Sequence, residues 1–133
     1  MWPEAVERIA SFLRESNAQG QIEELPPGVD TPPGQGVQAA TFECDGRTLV
    51  ALVPEDRDVD RGRLARRGGC VDLRPTPARA FPFQDARVLV DRSLLLVPTV
   101  WLEAGSPRHV LGLAPGQLLR LTRAETGTFV VED

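Results

Sequence analysis

The stretch that decides the fold is ARVLVDRSLL (Ala86 to Leu95) followed by VWLEAGSPRHVLGLAPGQLLRLTRAE (Val100 to Glu125). Arg87 to Val90, Thr99 to Glu103 and His109 to Leu113 are short runs of apolar and β-branched residues, the composition of strands in a sheet. Gly105-Ser106-Pro107 separates the last two as a turn. Pro115 to Thr122 then reads as a helix, with proline at its start and Leu118, Leu119 and Leu121 turned inward.

Upstream, VQAATFECDGRTLVALVP (Val37 to Pro54) reads as two strands joined at Asp45-Gly46, a pair suited to a turn in which both central residues need positive φ. Its second arm, Thr48 to Val53, is almost continuously apolar, as expected of a strand buried on both faces. Trp2 to Ser16 sets Val6, Ile9, Ala10 and Leu13 on one face of an amphipathic helix that ends around Asn17 to Gly20. Gln21 to Leu25 is a short edge strand, and Pro26 to Gly36 is too rich in Pro and Gly for anything but a loop. Glu55 to Gly69 predicts a short solvated helix with Asp60 as N-cap, Leu64 and Ala65 as core anchors and Gly68-Gly69 as its stop. Cys70 to Leu73 is read as a strand, and Pro75 to Asp85 as a proline-punctuated connection carrying Phe81 and Phe83. The sum is α+β, a mixed, curved and partly barrel-like sheet of six or seven strands with a few peripheral helices.

A chain of 133 residues is expected to form a single domain over residues 1–133 that buries about two-thirds of its unfolded surface. No apolar run approaches the ~20 residues of a membrane-spanning helix, and the N-terminal residues lack an export signal, so cytoplasmic residence is the expectation. Cys44 and Cys70 have no close Cys or His companion, which disfavours a metal site and suggests reduced, partly buried thiols. A net charge of −4 excludes tight binding through many phosphates, so contact with RNA would be local and DNA is not a partner. All fifteen basic residues are arginine. There is no Gly-x-Ser-x-Gly elbow and no phosphate-binding loop with lysine, and a Ser-His-Asp arrangement would have to be built on the single histidine, His109. Asp56, Asp58 and Asp60 alternate but lack the Gly and distal Glu of a calcium loop, and solvated charge explains them better.

Taken in order, the opening helix, the Phe42 to Pro54 hairpin arm, Asp91-Arg92-Ser93-Leu94 and Ala104-Gly105-Ser106-Pro107-Arg108-His109 resemble the YbaK family, whose relatives include the editing domain of prolyl-tRNA synthetases and their associated proteins. The resemblance covers nearly the whole chain. It implies an aminoacyl-tRNA deacylase, a hydrolase of translation fidelity that works in trans, without metal or organic cofactor, on the ester at the acceptor end of a mischarged tRNA. The partners implied are that aminoacyl-adenosine end and an aminoacyl-tRNA synthetase. Laid without gaps on the Asp45-Gly46 turn, the family's functional lysine falls on Gln38, which brings no positive charge. A family helix after Thr31 and most of the segment between Cys70 and Phe83 are shortened, and Ala78 holds the slot of a family glycine ahead of Pro82-Phe83. The implied catalytic positions are Gln38, Gly105 and His109, with Ala39, Ala80, Phe81, Pro82 and Ser106 bordering the substrate, and no metal ligand. The alternative is a non-catalytic module of the same fold that binds a tRNA end, an amino acid or a protein.

Overall fold

A computed structural model describes residues 2–132 of the chain. Helix α1 (Glu4–Glu15) begins after Pro3 and buries Val6, Ile9 and Leu13, the stripe that its spacing predicts. Eight strands follow: β1 (Gly20–Glu24), β2 (Gln35–Cys44), β3 (Arg47–Pro54), β4 (Leu73–Pro75), β5 (Arg87–Asp91), β6 (Val100–Glu103), β7 (His109–Leu113) and β8 (Glu125–Gly127). Helix α2 (Arg61–Gly68) lies between β3 and β4, a 3₁₀ turn (Arg92–Leu96) follows β5, and helix α3 (Pro115–Thr122) follows β7.

The strands form one mixed sheet in the order β1-β7-β6-β2-β3-β5-β8, with β4 added to the free part of β2. The path is open at both ends, so the sheet does not close into a barrel, and its eight strands exceed the expected six or seven because β4 and β8 have three residues each. The β2–β3 hairpin turns at Asp45 (φ 51) and Gly46 (φ 85), the positive pair the dipeptide predicts. β3 is buried on both faces and divides two cores by simple alternation. Val50 and Leu52 join α1, α3, Phe81 and Phe83 on one side, while Leu49, Ala51 and Val53 join Leu64 of α2 and Phe129 on the other.

Asp60 caps α2 by accepting from the Arg63 amide, and Gly69 ends it in the left-handed region. In α3 Leu118 is buried, whereas Leu119 and Leu121 are half-buried at the margin of the core. Asp91 explains its own motif: one oxygen accepts from Ser93 at the start of the 3₁₀ turn and the other accepts from the Phe129 amide, fastening the C-terminal segment to β5. Arg87, hydrogen-bonded at 3.1 Å, holds the Glu125 carboxyl below the usual carboxylate range, with Arg67 behind it.

Three further expectations are corrected here. Cys44 and Cys70 are not free thiols but a disulfide joining the end of β2 to the chain just after α2. They meet because the Asp45 carboxylate accepts from the Val71 and Asp72 amides and draws residue 70 to the hairpin tip. The predicted strand Cys70 to Leu73 accordingly starts later, at Leu73, because residues 70–72 are taken up by this fastening. The Pro/Gly loop is shorter than expected by two residues, since Gln35 and Gly36 pair with Val100 and Trp101. Among the described residues no helix is long and apolar enough to cross a membrane.

Candidate functional site

The site arises where the sheet splits. β2 and β6 run parallel but pair only at Gln35↔Val100 and Gly36↔Trp101, after which β2 continues toward β3 and β4 while β6 turns to β7 and β1. The strands splay, and a cavity of about 450 Å³ opens in the wedge between Val37, Ala39 and Leu102, Glu103. That is the size of a small-ligand site. Phe81 and Phe83 form much of its floor, Trp101 and Val110 line it further, and Asp30 and Pro32 of the Pro/Gly loop border it.

The wall made by Ala78, Arg79, Ala80 and Phe81 belongs to the shortened connection, yet it is well anchored. The Arg79 amide donates to Thr41 Oγ1, its guanidinium donates to Thr48 Oγ1 and the Gln84 carbonyl, and the Thr76 amide donates to the Thr41 carbonyl. The Phe81–Pro82 peptide is cis. Opposite, Arg108 holds the loop by donating to the Leu25 and Pro26 carbonyls and pairing with Asp30.

Six of the eight sequence-derived positions line this one cavity: Gln38, Ala39, Ala80, Phe81, Gly105 and His109. Pro82 and Ser106 do not line it. Pro82 follows the cis bond out of the wall, and Ser106 lies behind His109, with its hydroxyl 2.6 Å from His109 Nδ1. Gln38 lines the cavity, and its side-chain amide is engaged by a residue outside the lining. Val37 and Ala39 pack on the α1 side of the sheet, Ala40 packs on the opposite side, and the Gln38 side chain between them donates to the Arg57 carbonyl at 2.7 Å. The amides of Ala80 and Gly105 enter no hydrogen bond among the described residues.

His109 is the buried polar group at the cavity, with 5% of its surface exposed. Its Nε2 has no hydrogen-bond partner, and the nearest carboxylate oxygen, on Glu24, is 3.8 Å away. The Trp2 ring packs edge-on against the imidazole at 5.8 Å. Sequence reasoning missed Trp101, Asp30, Glu55 and Glu103, which line the cavity from segments far apart in the chain. Apart from His109, Arg79 is the one basic side chain there against three carboxylates, of which Asp30 is already paired with Arg108. Two carboxylates without an ion-pair partner among the described residues, Glu55 and Glu103, in a lining that includes Phe81, Phe83 and Trp101, suit a ligand with a cationic group on an otherwise uncharged body.

No protein-family model and no curated protein matches the chain. Solved structures do. A candidate trans-editing enzyme for prolyl tRNA synthetase is similar at a TM-score of 0.85 and 23% identity, over 99% of this chain and all of that one. A protein used as a scaffold for computational epitope grafting matches at 0.85 and 21%, with the same coverage. A candidate signal transduction protein from Marinobacter aquaeolei VT8 matches at 0.74 and 20%, over 99% of this chain but 31% of its own length. At such identities the likeness establishes the fold. It is the YbaK-like α+β fold that the sequence resemblance leads one to expect.

Proposed function

We propose that the chain is an aminoacyl-tRNA deacylase acting in trans, and that the wedge between β2 and β6 receives the aminoacyl group of a mischarged tRNA. The observation that carries this reading is the cavity itself, which gathers six of the positions implied by the YbaK resemblance beside a buried, unpartnered imidazole nitrogen. An aminoacyl ester is a labile acyl group, so positioning a water and supplying donors to the developing oxyanion gives useful acceleration without a strong nucleophile. The donors proposed for this role are the Ala80 and Gly105 amides, which enter no hydrogen bond among the described residues, and His109, whose Nε2 lies closed off behind the lining. Glu55 and Glu103 would complement the α-ammonium of the amino acid, and Arg79, whose guanidinium already donates to Thr48 and Gln84, is the one arginine of the lining that a phosphate could meet. Gln38 brings no positive charge to the position of the family's lysine, and its Nε2 already donates to the Arg57 carbonyl, so slower turnover is expected than in lysine-bearing relatives.

That same pairing favours a second reading, a module that binds the acceptor end or a free amino acid without hydrolysing it. One experiment separates the two. Purified protein is incubated with a panel of mischarged tRNAs, beside Ala39→Phe, which fills the cavity. Loss of the aminoacyl group at least about tenfold faster than the spontaneous rate, abolished by the filled cavity, supports the deacylase. Binding without acceleration for every pair supports the module. Acceleration that survives Ala39→Phe places the chemistry elsewhere and defeats both.

A further inference from the structure

His109 and Ser106 sit three residues apart in the β6–β7 turn, closed by the His109 amide donating to the Ser106 carbonyl at 3.2 Å. The Ser106 hydroxyl lies 2.6 Å from Nδ1 and accepts from the Arg108 amide at 3.0 Å. With one lone pair engaged by that amide, the single hydroxyl proton has the Nδ1 lone pair as its nearest acceptor. On the other side of the ring, the Glu24 carboxylate on β1 lies too far from Nε2 for a hydrogen bond, but its charge favours a proton there. The Arg108 guanidinium is committed to Leu25, Pro26 and Asp30.

We infer that Ser106 is a positioning residue which holds His109 in the tautomer protonated at Nε2, so that His109 serves the cavity as a hydrogen-bond donor and not as a base. Glu24, His109 and Ser106 have the composition of a nucleophilic triad, but Ser106 is not part of the cavity lining and its oxygen is engaged within the turn. The Nε2 proton is closed off from water, and an acyl oxygen of the ligand reaches it only by displacing part of the lining. Protonation of the ring leaves that donor in place, which distinguishes it from a general base that acid would silence. The donor's use in catalysis rests on the deacylase reading, whereas the tautomer does not.

Because His109 is the only histidine, its ring nitrogens can be observed by nitrogen NMR in uniformly labelled protein without ambiguity. In the neutral ring, Nδ1 is expected as the unprotonated nitrogen and Nε2 as the protonated one. Ser106→Ala should move both signals toward an averaged position, and Ser106→Thr should restore them. A wild-type ring protonated at Nδ1, or a spectrum unchanged by Ser106→Ala, overturns the inference without touching the deacylase reading. With a tRNA that is deacylated, Ser106→Ala should lower kcat/KM roughly tenfold to a hundredfold and Ser106→Thr should recover most of it. Covalent labelling of Ser106 by a serine-directed fluorophosphonate would make it a nucleophile and refute the positioning role.

Discussion

Gly105 shows how closely a single residue can be constrained. Its φ is 87°, and an added Cβ would lie 2.9 Å from the Ala5 carbonyl carbon and 3.0 Å from the Val6 nitrogen, both backbone atoms of α1. Gly105→Ala therefore meets conformational strain and a collision that no side-chain rotation relieves, and should cost about 2 to 4 kcal/mol in urea unfolding. Gly46→Ala is the control. It has the same sign of φ but open space around it, so about 1 kcal/mol is expected. Equal losses would show that contact with α1 is unimportant. Gly105 and His109 could be picked out from the sequence because they flank one compact turn. Gln38 lines the cavity while its Nε2 donates to the Arg57 carbonyl, a bond that a register match could not foresee because it does not say which face a side chain takes. Its apolar neighbours Val37 and Ala39 carried that information, because alternation sends residue 38 the other way.

At the scale of elements, the disulfide, β4 and the Thr41–Arg79 bond together fasten the connection that walls the cavity. The disulfide spans 26 residues, for which the loop-entropy account gives about 3 to 4 kcal/mol. Replacing both cysteines by serine should lower stability by about that much and speed amide hydrogen exchange from residue 71 to residue 81, while exchange in β7 changes little. Uniform loss of protection would mean that the bond serves the whole sheet and not its wall. The bond forms where the surroundings are oxidising, so the chain's redox compartment decides how firmly the wall is held. Sequence spacing could not reveal it, because the cysteines meet only through the Asp45 contacts and β4, whose three residues carry no periodic signal. The hairpin, α1 and the Asp60 and Gly69 caps were legible for the opposite reason: each is encoded within a few neighbouring residues.

Over the whole molecule, a net charge of −4 and a cavity with one arginine limit the grip on RNA. If the deacylase reading holds, the Michaelis constant for aminoacyl-tRNA should rise with salt on a log–log slope of only about 1 to 2, that of one or two phosphates. An aminoacyl-adenosine fragment should then keep most of the efficiency, and a steep slope with a poor fragment would reveal an RNA surface outside the wedge. The wedge was the least legible feature of all, because it depends on where two strands from distant parts of the chain stop pairing. The two-sided burial of β3 has a practical outcome for redesign. Leu49, Ala51, Val53 and their neighbours on α2 can be repacked for thermal hardiness with the ligand-facing residues left as they are. Selectivity can in turn be tuned at Ala39, Leu102 or Phe81, with any lost robustness recovered from the reverse side.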